Sequence, residues 1–443
     1  MRDMALILFV LSLLPSSFYH PHIGLYLWTW FSYMSPHSFT WYSHDFRFVF
    51  VISGVTIAGM TLLKHIRWTV PFMAANVYVV LFTIWFSITT QFALNPSSAT
   101  LEWYRSLKIM LMLWATLILI NTRQRLETIL LITTLSIAFF GFRGGIFTLI
   151  HGGQFRVHGP HTGFFWDNNA VGLAMALAIP LMRYFYMQSR FSVVRLFFAV
   201  SIFATILSTI ATYSRGSVLG LLVGLMFLFM KTRNRFRWLL ILLPVLYAIF
   251  QFMPPAWLDR MNSIAEYQED RASTGRLVAW QTAINLAADR PILGGGFSTM
   301  TRQVFYKYSP DPTNFHDFHS IYFEVLGEQG YPGLILFLAY FITCYRYGTY
   351  IIRKTRDQPN LTWMRDMAAM LQVSFVSYAA AGTFLGMAYF DLPWHLATFM
   401  IILKILLEKE LAAPSQQTPQ KSNFQPIHDH KFSSIFDRPA GNM

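Results

Sequence analysis

The sequence predicts an all-α polytopic membrane protein, and three observations carry that prediction. Charged residues make up 12% of the 443 residues and hydrophobic ones 54%, whereas soluble domains are about 25% charged. Apolar runs long enough to cross a hydrocarbon core of about 30 Å recur along the chain, and lipid forces such runs to be helical. The basic residues gather in short stretches between those runs, as membrane orientation requires. In a soluble chain the formal charge of +13 would point to nucleic acid. Here the loops account for it, and no nucleic-acid partner is expected. A single cysteine, Cys344, inside an apolar run leaves no disulfide framework and no thiolate metal site.

The elements follow in order. The stretch 4–34 is broken by "SSFYHPH" and reads as a short hairpin or as one interrupted span. It has the length of a signal peptide, but Asp3 beside Arg2 and no small-residue cleavage site make it a retained span. Apolar segments follow near 45–62, 71–92, 103–121, 127–150, 170–187, 196–213, 216–230, 238–253, 322–345, 365–387 and 390–407. With 4–34 crossing once, the total is about twelve spans and the N-terminus lies inside.

Loop charge sets the orientation. "KTRNRFR" (231–237) and "RYGTYIIRKTR" (346–356) each carry four positive residues and belong in the cytoplasm. Arg183, Arg190 and Arg195, then Arg123 with Arg125, then Lys64 with Arg67 mark three more cytoplasmic turns. The far side receives 151–169, the tight turn "YSRGS" (213–217) and the long loop 254–320. The division is therefore 1–253, helices with short outer loops; 254–320, an outer loop region with short helices; 321–407, C-terminal helices; and 408–443, a polar tail expected to be disordered in the cytoplasm.

The outer loops also carry positive charge, against the rule. Arg156 lies in "QFRVHGPHTGFFWDNN", Arg215 sits where two apolar segments meet, and the long loop holds Arg260, Arg271, Arg276, Arg290, Arg302 and Lys307. Loop arginines often snorkel to phospholipid headgroups. The turn around Arg215 is too short for its side chain to be free in solution. Arginine binds phosphate through a paired, permanently charged fork. Three outer loops that each bring one to the same face suit a lipid-linked pyrophosphate.

Two stretches add chemistry. "STGRLVAWQTAINLAADRPILGGGF" (273–297) reads as a short amphipathic helix, with Leu277, Trp280, Ala283, Ile284 and Ala287 at helical spacing. Ser273 or Thr274 at its cap would put Arg276 in the first turn, where free backbone N–H groups reinforce an anion site. "GGGF" (294–297) has no preceding strand and no following Lys-Ser/Thr, so it is no nucleotide loop. In "NFHDFHSIYFEVLGEQGY" (314–331) His316, Asp317, His319, Glu324 and Glu328 open an apolar segment. A metal would need more ligands than this stretch supplies. A structural histidine at a helix start and a catalytic base both stay open, since imidazole can take a proton from a hydroxyl near neutral pH.

"TYSRGSVLGL", "STGRLVAWQTAINLAADRPILGGGF" and "FHSIYFEVLGEQGYPGL" in that order resemble the O-antigen ligase and polymerase superfamily of bacterial inner membranes, over about residues 150–405. "MRD", "GGIFTLIHGG" and "DNNAVGLAMAL" resemble the O-glycosylation ligases associated with exosortase systems. The resemblance implies a C-type membrane glycosyltransferase fold that works without a metal or other cofactor. It implies His319 as the catalytic base, followed here by Ser320, and Arg215 and Arg276 as phosphate-binding arginines, with Arg156 often joining them. Asn169 of "DNN", Trp280 and His316 are the further candidates for contact with the pyrophosphate or glycan. The implied partners are an undecaprenyl-pyrophosphate-linked glycan as donor, a lipid A–core acceptor and the surrounding membrane lipid. Polymerases and protein O-glycosyltransferases share the donor chemistry and differ in acceptor. A transporter of lipid-linked sugar would show matched half-repeats and charges deep in its spans, and neither is evident.

Overall fold

Every regular element among the described residues of the computed structural model is a helix. The description covers residues 1–412 except 65, 67, 162–164, 232–239, 241–242, 245–246, 249–250 and 263–270, and omits the side chains of 271–273. Arg67, the basic run after Lys231, half of the expected span 238–253 and the tail from 413 lie outside it.

The helices are α1 (Arg2–Tyr19), α2 (Pro21–Met34), α3 (Phe48–Leu62), α4 (Ala74–Gln91), α5 (Pro96–Leu119), α6 (Arg123–Ile150), α7 (Asn168–Gln188), α8 (Ser192–Ile210) and α9 (Arg215–Lys231). Then come α10 (Pro255–Asn262), α11 (Arg271–Asp289), α12 (Arg302–Tyr308), α13 (Ile321–Lys354), α14 (Thr362–Gly382) and α15 (Asp391–Ala412). Six are long and apolar enough to cross a membrane: α1, α4, α6, α7, α8 and α13. Together they make this a membrane protein.

The most apolar stretch of α7 is 83% buried and that of α1 only 11%, so α7 is the axis of the bundle and α1 its rim. Helix α7 packs on α6, α8, α9 and α14. Small residues permit the closest approaches: Gly141 and Gly145 of α6 lie directly against Thr205 and Ala204 of α8, as helices packed in lipid require. Buried hydroxyls on the helices return to their own backbone, as Thr116 does to the Met112 carbonyl at 2.8 Å and Thr134 to Leu130 at 2.7 Å. That satisfies them without water.

The stretch 4–34 is a hairpin, not a single crossing. The chain breaks at His20 between α1 and α2. At one end the Asp3 carboxylate accepts from the backbone N–H groups of Tyr42 and Ser43, both at 2.8 Å. At the other, the Tyr26 hydroxyl donates to the Arg125 carbonyl at 3.4 Å. The start of α1 therefore lies on the face of the 35–47 loop, opposite Arg125, which removes the basis for an inside N-terminus. Pro21 at the first position of α2 ends the α1 ladder, because its nitrogen has no hydrogen to donate.

The turns sort onto two faces. On one, Leu94 N–H donates to the Gly295 carbonyl at 2.8 Å, Arg290 reaches the Phe92 carbonyl at 2.7 Å, and Val157 N–H meets the Ala211 carbonyl at 3.0 Å. On the other, Tyr184 donates to Glu127 at 2.7 Å, Gln188 to Asp366 at 2.8 Å, and Arg123 lies over the Trp363 ring. The loop regions singled out for their arginines share the first face.

Helix α13 is broken at Gly330, whose φ of 67° and ψ of −173° suit glycine alone. A break leaves helix carbonyls without partners. "GGGF" supplies them: Gly295 N–H donates to the Gly327 carbonyl and Gly296 N–H to that of Glu328, both at 2.8 Å, while Ser298 N–H donates to the Glu328 carboxylate at 2.7 Å. The glycine run is the plug of a helix break.

Candidate active site

Four segments on the first of the two faces and one late turn build the site. The first is the start of α7. Asp167 caps it, accepting from Asn169 N–H at 2.8 Å and Ala170 N–H at 3.3 Å, the usual service of aspartate at a helix start. Asn168 donates from its side chain to the Thr212 carbonyl at 2.8 Å, and the Asn169 carbonyl accepts from the Ser217 hydroxyl at 3.1 Å. Both contacts tie α7 to the second segment, the turn before α9.

That turn is tightly laced. Tyr213 sits at φ +58°, with its hydroxyl donating to the Gly153 carbonyl at 2.8 Å and its carbonyl accepting from Arg260 at 3.1 Å. Arg156, exposed on the neighbouring loop, lies 5.8 Å from the centre of the Tyr213 ring. Arg215 follows as the first residue of α9 and is half-buried. Arg156 and Arg215 thus flank one aromatic turn.

The third segment is α11. The structure corrects the expected cap here: the helix already runs from Arg271, so Arg276 lies in its second turn, beyond the free N–H groups. Ser273 and Thr274 are inside the helix, which their modest helical cost permits. Gly275 is a point of close approach; a Cβ there would fall 2.3 Å from Nδ1 of His316, so the imidazole lies flat on the α11 backbone. Trp280 does not stand open toward solvent. Its indole N–H donates to the Phe318 carbonyl at 2.9 Å, and its ring stacks on Phe323 at 4.9 Å and leans on Phe384 at 5.9 Å.

The fourth segment is the loop into α13. Asp317 accepts from Phe318 N–H at 2.8 Å, and the buried Phe318 ring packs against Gly327. His319 follows at φ +43°, a left-handed conformation that costs a non-glycine residue about 1–3 kcal/mol and is typical of functional sites. The fifth contribution is the turn between α14 and α15. A Cβ on Gly386 would lie 3.5 Å from both the backbone nitrogen and Cα of His319, while Leu385 packs directly on Gly216, next to Arg215. One turn touches the neighbourhoods of both residues.

The electrostatics record the same convergence. Burial holds the His319 imidazole below its ordinary value of 6.5, and the charges of Arg276 and His316 push the same way. Asp317 and Asp167 oppose them. Burial first, with Arg276 and His316, thus favours the neutral imidazole of His319, against the charges of two carboxylates. Such a group can accept a proton from a hydroxyl while the arginine holds an anion. Among the described residues no three His, Cys, Asp or Glu side chains stand close enough to hold a metal ion.

The structure brings His319, His316, Arg276 and Trp280 together directly, and joins Arg215, Arg156 and Asn169 to them through the laced turns. It adds two residues that sequence reasoning did not single out. Asp167 carries a readable signal, an acidic residue just before an apolar helical run. Gly386 carries none.

Compared with known proteins, residues 199–338 match the family described as O-Antigen ligase, and residues 1–188 match a family of unknown function. The first match includes Arg215, Arg276, Trp280, His316 and His319; the second includes Arg156, Asp167 and Asn169. No curated protein matches the chain.

Proposed function

Starting from residues 199–338, which match the O-antigen ligase family, we propose that the chain is a glycan ligase. It transfers a glycan from undecaprenyl pyrophosphate to a hydroxyl of the lipid A–core oligosaccharide. The reaction runs at the periplasmic face of the inner membrane. The architecture belonging to this reading is a C-type membrane glycosyltransferase bundle of about twelve crossings.

The acceptor hydroxyl gives its proton to His319 as its oxygen attacks the anomeric carbon from the side opposite the pyrophosphate. The bond from that carbon to the phosphate oxygen breaks, the anomeric configuration inverts, and undecaprenyl pyrophosphate leaves. Arg215 and Arg276 take up the charge growing on the leaving group. Removing one such preorganised donor typically costs about 3–4 kcal/mol. Arg156, Asn169 and His316 extend the donor contact from the neighbouring loops. A leaving group already activated as a pyrophosphate is served by arginine charge, without a nucleotide or a metal.

One observation carries the reading. A neutral, half-buried imidazole stands in the field of Arg276, and the turn beneath it packs on the residue next to Arg215. A base and two phosphate-binding forks in that arrangement suit transfer from a pyrophosphate. Purified protein reconstituted with an undecaprenyl-pyrophosphate glycan tests it, with lipid A–core, a second donor glycan and a peptide offered in turn. A product on lipid A–core supports the ligase. A product on the second donor or the peptide alone replaces it with a polymerase or a protein O-glycosyltransferase. Donor movement across the bilayer without any product makes the chain a transporter.

A further inference from the structure

Trp280 offers no free polar group to a substrate, since its only one is spent on the backbone of the loop that carries the base. The geometry points to Trp280 as a positioning residue for His319, acting through the Phe318 carbonyl, and so to α11 as one bracket that holds both the leaving-group arginine and the base. This rests on His319 being the base, and the test below separates the two claims.

The Phe318 carbonyl and the His319 N–H belong to one planar peptide. A bond of 2.9 Å from Trp280 to that oxygen therefore fixes the plane from which the His319 side chain departs. His319 sits in the left-handed region at φ +43°, where it stays only if its surroundings enforce it. They do so at four points. The Phe318 ring packs on Gly327, its N–H donates to Asp317, its carbonyl accepts from Trp280, and Gly386 supports the backbone of His319 from below. Only the Trp280 contact comes from α11.

Helix α11 meets the same loop a second time, where His316 lies flat on Gly275. Arg276 follows Gly275 directly and lies one helical turn before Trp280, whose face it shares. The far end of α11 is fixed independently: Asn285 donates to the Tyr308 carbonyl at 2.8 Å, and the Tyr308 hydroxyl to Asp289 at 2.5 Å. A helix held at its far end carries Arg276 and the base loop as one body. The distance from leaving group to base is set by a single element, not by two loops that drift apart.

The test uses full-length protein in lipid nanodiscs. Trp280→Phe keeps an aromatic ring for Phe323 and Phe384 and removes the N–H with part of the ring. Gly275→Ala keeps Trp280 and displaces His316, and alanine favours the helix itself. Both variants are compared with wild type in turnover, in affinity for undecaprenyl pyrophosphate, in melting temperature, and in the rate at which diethyl pyrocarbonate modifies His319, read by mass spectrometry. The expected kcat is about ten- to hundredfold lower in Trp280→Phe, the scale of a misplaced catalytic group, and up to about tenfold lower in Gly275→Ala. In Trp280→Phe product affinity and melting temperature stay near wild type, and in both variants His319 is modified several-fold faster. Wild-type turnover in Trp280→Phe overturns the proposal, and so does lost turnover with unchanged His319 reactivity. If wild-type protein transfers no glycan while Trp280→Phe still unmasks His319, the positioning role stands and the ligase reading falls.

Discussion

At the scale of single residues, the two histidines of "HDFHS" part company. His319 occupies a strained backbone position within the field of Arg276, while His316 packs its ring on the Gly275 backbone. A metal site would need both equally, and a base needs one. His319→Ala should lower transfer by about 10²–10⁴-fold, the usual contribution of a general base. His316→Ala should cost about tenfold at most, through the loop it steadies. The sign of the pH effect follows from the environment. Only the neutral imidazole can take a proton, and burial, Arg276 and His316 together lower its proton affinity. Activity should persist into acid below 6.5, the ordinary histidine value, and be lost as pH falls through the lowered value. Asp317→Asn removes an opposing negative charge and should move that acid limb further down; a limb that moves up would contradict the assignment. For the arginines, Arg215→Lys and Arg276→Lys should both be severely impaired although charge is kept, because the paired fork is lost. Arg302→Lys, at the exposed start of α12, should transfer normally. Near-normal turnover in the first two, measured on folded protein, would reduce them to headgroup contacts. His319, Arg215 and Arg276 stood out in the sequence through the resemblance and, for the arginines, through positive charge in loops where the orientation rule does not expect it. Gly386 did not, since nothing in the sequence places the turn before α15 beside His319.

At the scale of elements, apolar length predicted the helices well and their ends and breaks poorly. The expected span 322–345 is part of a helix that runs from Ile321 to Lys354 with a break at Gly330, and no periodicity marks such a break. The glycine run "GGGF" was visible as a motif without a task. Its task appears only when residues 327–330 lie beside it, more than thirty positions on in the chain. The start of α11 was misjudged because Ser273 and Thr274 look like caps in isolation. Gly330 offers the sharpest test. A Cβ there would fall 2.3 Å from the Ile292 carbonyl oxygen, in a conformation that already costs other residues about 1–3 kcal/mol. Gly330→Ala should lower the melting temperature and transfer together, because the plug that it unseats leads directly into α11. A thermal scan in detergent with a parallel transfer assay checks this, and an unchanged melting temperature would mean that the break tolerates a side chain.

At the scale of the whole molecule, loop charge sorted the turns onto two faces, and the hydrogen bonds between turns follow the same division. What charge left open was the N-terminal hairpin, because "SSFYHPH" holds two histidines and no permanent charge to place it. Asp3 settles its direction by binding the backbone of Tyr42 and Ser43. Single cysteines placed at Asp45 and Ser309, in protein with Cys344 replaced, should react with an impermeant maleimide added to whole cells. A cysteine at Asp357 should react only after permeabilisation. Labelling of Asp357 from outside with Ser309 protected would invert the protein and remove the proposed mechanism.

The support beneath His319 comes from Gly386, in the turn that precedes the last helix, while the turn that carries Arg215 is made some 170 residues earlier in the chain. Synthesis runs from the N-terminus, so the turn of Arg215 is made long before the turn that faces His319. On the proposed reading, a chain that ends at the close of α14 would hold the first turn and lack the second. Transfer would then be withheld until the last turn is in place, and a half-made protein would not spend its donor on whatever hydroxyl is near.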